Sequence, residues 1–272
     1  MSERKSCNLI NISRSSIRYK HKLSNPDELI TRELKKLAIK HISYGLPRLV
    51  VLIRKKFGSI NHKRIERIYR QNHLQIPKRP HKKRVYRSEP LPLALHPGHR
   101  WSMDFISDRL VSGRPFRVFN LIDDFSRELI FQIVDSSITG TRLNREMSIL
   151  QEYRKLPQNI VCDNGPEFRS KAMAEFSLKH GVKLCFIPPG KPQQNAFVES
   201  LNGKFRAECL NQSEFLSLNH AREIINSWRE EYNNKRPHSS LGMVPPNEFL
   251  LTYKRKINNQ EILNLVMDQN MG

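Results

Sequence analysis

The sequence predicts a mixed α/β sheet flanked by helices, preceded by a small all-helical unit. Two observations carry that reading. The apolar spacing is helical up to about residue 75 and alternates like strands from Arg100 onward, with helices between the later strands. The charge is also lopsided. Residues 1–99 hold 24 of the 47 Lys and Arg but 6 of the 26 Asp and Glu, a charge of +18, against +3 for residues 100–272. A basic front and a near-neutral body imply a polyanionic partner gripped by the front. The boundaries follow as 1–75 helical, 76–99 a basic Pro-rich linker, 100–250 the α/β core and 251–272 a polar tail.

In the front unit, residues 6–20 spell a short helix, a turn and a second helix, with Ser13 a fitting N-cap. Pro26-Asp27-Glu28 opens a helix to about His41, with Leu29, Leu34, Leu37 and Ala38 on one side, broken by Tyr44-Gly45. Pro47 starts the next helix, through Phe57, with Leu49, Leu52 and Ile53 inward. Asn61 caps a third, His62 to Asn72, carrying Ile65, Ile68 and Tyr69. Helix, short Gly-containing turn and basic helix is the helix-turn-helix pattern of duplex DNA binding, with Lys63, Arg64, Arg67 and Arg70 facing the DNA. Each alone is an ordinary exposed helix residue; four together on a +18 segment favour contact.

Five prolines between residues 75 and 99 exclude a long helix there. The run Lys82-Lys83-Arg84 in that linker adds phosphate contacts without sequence choice. From Arg100, Trp101–Ser107, Phe116–Asp123 and Leu129–Val134 read as three strands joined by turns. A helix (Thr141–Tyr153), a strand (Asn159–Cys162), a helix (Ser170–His180) and a strand (Val182–Ile187) follow. Ser217–Asn233 is an amphipathic helix that packs on the core and makes Trp228 structural. Pro245–Leu250 is a short final helix.

Three carboxylates stand out. Asp104 lies inside the apolar run Trp101-Ser102-Met103-Asp104-Phe105-Ile106, Asp163 ends the strand Asn159–Cys162, and Glu199 sits in a helix with Phe197, Leu201 and Phe205 four apart. A charge among strand hydrophobics costs solvation unless compensated. Converging carboxylates repel, and a pair of Mg²⁺ (or Mn²⁺) ions is the simplest remedy, suited to in-line phosphoryl transfer. The 35 residues between Asp163 and Glu199 prove nothing, because 26 acidic residues supply some triple at any spacing. The competing acids Asp108, Asp123, Asp124 and Glu167 are mostly turn residues, Glu167 being placed to orient a water or a Lys. Asn164, Gly165 and Asn195 suit support of the carboxylates or phosphate contact. Pro188–Pro192, with Lys191, makes a stiff loop beside them.

The words around these residues carry the weight. WSMDFISD, GRPFRVFNLIDDFSRE, DNGPEF, PGKPQQNAFVESLNGKFRAECLN and WREEYNNKRPHSSLG resemble, in order and over about residues 30 to 250, the second-reading-frame (OrfB) transposases of bacterial insertion sequences. The resemblance implies a ribonuclease-H-like core similar to retroviral integrase, with a D,D(35)E triad on Asp104, Asp163 and Glu199. It implies two Mg²⁺ or Mn²⁺ ions, and cleavage and strand transfer of double-stranded DNA at element ends and target. It also places Arg206, with Lys204 nearby, against DNA. Two departures, Gln194 before Asn195 and Leu201 after Glu199-Ser200, leave the triad intact. Homo-oligomers in the synaptic complex and an upstream-frame (OrfA) fusion partner are further implications. The motif Lys235-Arg236-Pro237-His238 has no physical role beyond a turn with phosphate-reaching donors.

Other classes recede. No run approaches the roughly 18 apolar residues of a membrane span, and the amino terminus leads into no signal-type apolar core. Cys7, Cys162, Cys185 and Cys209 stand singly, against a zinc finger or a disulfide framework. A bacterial cytoplasmic, nucleoid-associated protein is expected. Two alternatives share many of these features. A ribonuclease-H-like nuclease without strand transfer needs no basic end-recognition unit, and a silent DNA-binding regulator needs no intact triad.

Overall fold

The computed structural model describes residues 2–19, 25–77, 93–188 and 195–270, with backbone alone for 25, 26 and 259–270. The chain divides into two compact units, Met1–Lys78 and Arg79–Gly272. Lys82, Lys83, Arg84 and Lys191 lie outside the described residues. No helix of the described residues is long and apolar enough to cross a membrane.

The first unit is helical: α1 (Glu3–Leu9), α2 (Arg14–Arg18), α3 (Asn25–Lys40), α4 (Leu46–Phe57) and α5 (His62–Gln71). Its boundaries follow local chemistry. The Ser13 hydroxyl accepts from Ser16 N, Asn61 accepts from Lys63 N, and Pro47 occupies the first turn of α4. Ile30, Leu34, Leu49, Ile53, Ile65 and Ile68 form the core of α3–α5. The expected face of α3 holds at Leu34, Leu37 and Ala38 and differs at one position, where Leu29 is exposed and Ile30 is buried instead.

Asp27, at the start of α3 and 5% exposed, accepts from Arg64 Nε at 2.6 Å and from Arg67 Nη2 at 2.8 Å. The two guanidinium groups hold its carboxyl below the ordinary value of 3.8. A depressed carboxyl contributes stability above its unfolded pKa and loses it as pH falls through the folded one. The clamp is therefore whole at neutral pH and weakens below about 3.8. Both arginines are more than a third exposed, which moderates the effect. Asp27→Asn is expected to destabilise the helical unit by about 1–2 kcal/mol, read by chemical denaturation at pH 7, with the difference vanishing in acid.

The second unit is built on β1 (Arg100–Arg109), β2 (Pro115–Asp123), β3 (Leu129–Asp135), β4 (Asn159–Cys162) and β5 (Lys183–Phe186), in the order β3-β2-β1-β4-β5. The first three pair antiparallel; β4 and β5 run parallel to β1. The helices are α6 (Gly140–Tyr153), α7 (Lys171–His180), α8 (Ala196–Glu208), α9 (Leu218–Asn234) and α10 (Pro246–Asn270).

Alternation along the strands sorts the side chains to two faces. Met103, Phe119, Leu121, Ile160 and Cys162 bury against Leu143 and Met147 of α6 and Met173 and Phe176 of α7. On the other face Phe116, Val118 and Val134 meet Phe205 of α8 and Ala221 and Ile225 of α9. Gly140 is required by close approach, since a Cβ there would lie 1.9 Å from Ser170 Oγ. Trp228 stacks between Phe205 (4.7 Å) and Tyr232 (5.1 Å), the structural place expected for it. All four cysteines are free thiols. The last helix is longer than the expected Pro245–Leu250: α10 is one 25-residue helix, anchored where Phe249 and Tyr253 meet Phe125.

Candidate active site

Asp104 lies mid-way along β1, the central strand. β4 pairs with β1 only through Arg100–Ser102, with Ser102 opposite Val161. Asp163 follows directly on the last residue of β4, at the same end of that strand as the carboxyl-ward half of β1 that carries Asp104. α8 runs along the same face. Val198, Leu201 and Phe205 are its buried stripe, while Glu199, Asn202 and Arg206 share the adjacent stripe facing β1. Phe197 lies under the Arg127 guanidinium, 3.7 Å from the ring centroid.

Burial pushes the Asp104 carboxyl up to about 6, and the charges of both Asp163 and Glu199 push in the same direction. Asp104 is half-buried, whereas Asp163 and Glu199 are exposed, so the three open onto solvent. Among the described residues no three His, Cys, Asp or Glu side chains are gathered tightly enough to hold an ion. The donors nevertheless fit divalent cations: hard carboxylate oxygens only, with like charges that a cation relieves.

Neighbouring groups hold the carboxylates. Asp104 Oδ1 accepts from Phe105 N at 2.8 Å and Oδ2 from Asn202 Nδ2 at 2.8 Å. Asp163 Oδ1 accepts from Gly165 N at 2.8 Å, and Asn164 Nδ2 donates to Ile187 O at 2.6 Å, tying the loop after β4 to the end of β5. Gly165 is needed for room: a Cβ there would stand 2.9 Å from Asp163 Oδ1 and 3.3 Å from Glu167 Oε2. Both obstacles are ends of side chains, so the fold survives while the carboxylate moves. Gly165→Ala is expected to leave the melting temperature within a degree or so and to lower turnover about 10–100-fold, checked by melting and strand-joining assays on one preparation.

The other site expectations resolve residue by residue. Glu167 is engaged by Arg117, whose guanidinium lies 4.1 Å from the Phe105 ring centroid, so it braces the wall beside Asp163. Asn195 is 3% exposed, and its Nδ2 donates to Met103 O at 3.3 Å. That burial corrects the expected phosphate contact, because the amide pins the start of α8 to β1. Arg206 Nη2 donates to Ser107 O at 2.7 Å and its Nη1 lies 3.5 Å from Asp108. Lys204 is half-buried on α8. Asp123 and Asp124 are turn acids: Asp123 accepts from Gly98, Phe125 and Ser126 N, and Asp124 from Arg100 Nε and Ser102 Oγ. In the first unit Lys63 and Arg70 are exposed and Arg64 and Arg67 are half-buried at the Asp27 clamp.

Two residues were missed, Asn120 and Asn202. The available signals were an amide inside the apolar run Phe119-Asn120-Leu121, and the i, i+3 spacing of Asn202 from Glu199. Arg236 corrects the phosphate-reaching turn. It is 2% exposed and donates through Nε and Nη2 to the Glu208 carboxylate at 2.7 and 2.6 Å.

Residues 94–192 and 180–246 match models of the integrase core domain, and residues 25–87 match an HTH-like domain. The class is thus an integrase core behind a helix-turn-helix-like domain. Among curated proteins, an uncharacterized 39.2 kDa protein of insertion element IS476 from Xanthomonas euvesicatoria is 39% identical, over 96% of this chain and 76% of its own. An uncharacterized 31.7 kDa protein of insertion element IS407 from Burkholderia multivorans is 38% identical, over 93% of this chain and 92% of its own. The "Putative transposase InsK for insertion sequence element IS150" of Escherichia coli is 25% identical over 88% and 89%. The chain belongs to this bacterial insertion-element transposase family, whose integrase-type cores are of the DDE polynucleotidyl transferase kind.

Proposed function

We propose that this chain is a DNA transposase that binds the terminal inverted repeats of its insertion sequence and catalyses metal-dependent strand cleavage and strand transfer. The observation that supports the reading is the hydrogen bond from Asn202 on α8, the helix of Glu199, to Asp104 on the central strand of an integrase-type sheet, with Asp163 just past the neighbouring strand β4. Asp104, Asp163 and Glu199 would hold two Mg²⁺ or Mn²⁺ ions, which when bound supply an activated water or 3′-hydroxyl and neutralise charge at phosphorus. The chain's own residues do the positioning. Phe105 N and Asn202 fix the Asp104 carboxylate, Gly165 N fixes Asp163, and Asn195 fixes the helix that carries Glu199.

DNA is read by the front unit (1–75). On α5, Lys63 and Arg70 reach phosphate from exposed positions, and the Asp27 clamp presents Arg64 and Arg67 in ordered geometry at the surface. The linker (76–99), with Lys82, Lys83 and Arg84, adds charge attraction along the backbone. Lys191, Lys204 and Arg206 grip the end undergoing reaction in the core (100–250). Two ends held at once call for a homo-oligomer, and an upstream-frame product joins as fusion or partner. The protein acts at the nucleoid in the bacterial cytoplasm.

The test is joining of labelled element ends to a target duplex with Mg²⁺, comparing wild type with Glu199→Gln. Joining lost with end binding kept supports the reading. Equal joining by both overturns the role of Glu199.

A further inference from the structure

Beneath α8 a polar seam runs between two apolar clusters. Phe116, Val118, Val134 and Phe205 belong to one apolar cluster, and Ile122, Leu129, Val198 and Leu201 to a second. Between them Asp104, Asn120 and Gln132 form a single row across the sheet, since Asp104 stands opposite Asn120 on β2 and Asn120 opposite Gln132 on β3. Hydrogen bonds link the row to Asn202 of α8, and at its far end the Gln132 Oε1 is buried with no partner among the described residues. Gln132 Nε2 donates to Asn120 Oδ1 at 2.6 Å, Asn120 Nδ2 donates to Asn202 Oδ1 at 2.7 Å, and Asn202 Nδ2 donates to Asp104 Oδ2 at 2.8 Å.

Asn120 is fully buried. A buried amide in an apolar layer costs stability unless both its ends are matched, and an aliphatic residue would fill the gap without that cost. The seam therefore has another use, and its directionality shows which. An ionised carboxylate only accepts, so Asn202 must turn its NH₂ toward Asp104 and its oxygen toward position 120. Asn120 must then present NH₂ to that oxygen, leaving its own oxygen for Gln132. Each amide has one permitted orientation, set from the Asp104 end.

We infer that Asn202 and Asn120 are positioning residues for the metal-binding carboxylate of Asp104. Asn202 grips Oδ2, and Asn120, with Gln132 behind it, prevents the Asn202 amide from turning over. With Phe105 N on Oδ1, the plane of the carboxylate is held at both oxygens, each of which keeps a lone pair that a cation could use. The inference rests on the reading of Asp104 as a metal-binding group.

The test uses the full-length chain and Mn²⁺ alone, titrated against the melting temperature, beside steady-state joining of element ends. Asn202→Ala is expected to raise the half-saturating Mn²⁺ concentration about 10–100-fold and Asn120→Leu about tenfold, the low end for a hydrogen-bonded neighbour of a metal-binding side chain. KM for the DNA end should stay put while kcat falls with metal affinity. If Asn120→Leu does not fold, Gln132→Leu removes the same constraint from a half-buried edge position, with an expected rise of about threefold or more. Variants that move the metal-free melting temperature but keep the wild-type Mn²⁺ midpoint make the seam a packing feature and overturn the inference alone. A wild type with no Mn²⁺ response and no joining overturns the metal reading together with it.

Discussion

Glu199→Gln is expected to reduce strand joining by about a thousandfold or more while end binding and the fold are retained. Gln has the shape and helix preference of Glu, so the buried stripe of Val198, Leu201 and Phe205 is undisturbed. What disappears is one anionic oxygen donor from a set of three. Loss of several kcal/mol of charge stabilisation at phosphorus corresponds to about three factors of ten in rate. The stability change has the opposite sense. Asp104 bears the repulsion of Glu199 in the metal-free protein, so neutralising Glu199 should leave the melting temperature unchanged or raise it, a site tuned for function at some cost in stability. Single-turnover joining, gel-shift binding and melting on the same preparation separate these effects. A joining defect that merely follows a fall in melting temperature would reduce Glu199 to a structural residue.

Much of this arrangement was legible in the residues because each signal was local. Strands β1 to β5 follow from alternation and turn residues, and their ends came within two or three residues. Ser13 and Asn61 cap the helices they were expected to cap. Asp104, Asp163 and Glu199 are singled out only by the words around each acid, since spacing alone selects nothing from 26 acids. What stayed hidden depends on pairings across long sequence separations. That Arg64 and Arg67 converge on Asp27 follows from how α3 and α5 meet, 37 and 40 residues apart. That Ile30 is buried in place of Leu29 is set by neighbours in space, because both residues suit an apolar face. The amide row needs the register of three strands and the placement of α8 before Gln132, Asn120 and Asn202 meet. α10 was cut short because its later residues are largely polar, and polarity suits an exposed helix as well as a loose end.

Arg236→Ala is expected to be the most damaging single change away from the carboxylates, costing about 3–5 kcal/mol. A basic residue next to Pro237 in a motif-bearing turn reads from sequence as a phosphate-reaching donor. In the fold it is 2% exposed, forms a two-pronged pair with Glu208, and has its guanidinium carbon 5.8 Å from the Tyr232 ring centroid. Glu208 ends α8, the helix of Glu199, and Arg236 follows the end of α9, so the pair clasps two helices that carry and back the site. Truncating Arg236 strands the Glu208 carboxylate, whose side chain is 9% exposed, without its counter-charge. For a unit of this size that cost converts to a fall in melting temperature of roughly 6–20 °C. The double variant Arg236→Met with Glu208→Leu removes both charges and should recover most of the loss, since a buried pair replaced by apolar groups of similar volume is often neutral. The pattern of a damaged single and a recovered double distinguishes a clasp from a DNA contact. Were Arg236 a phosphate ligand, the single variant would melt like wild type and bind DNA more weakly, and the double would bind no better.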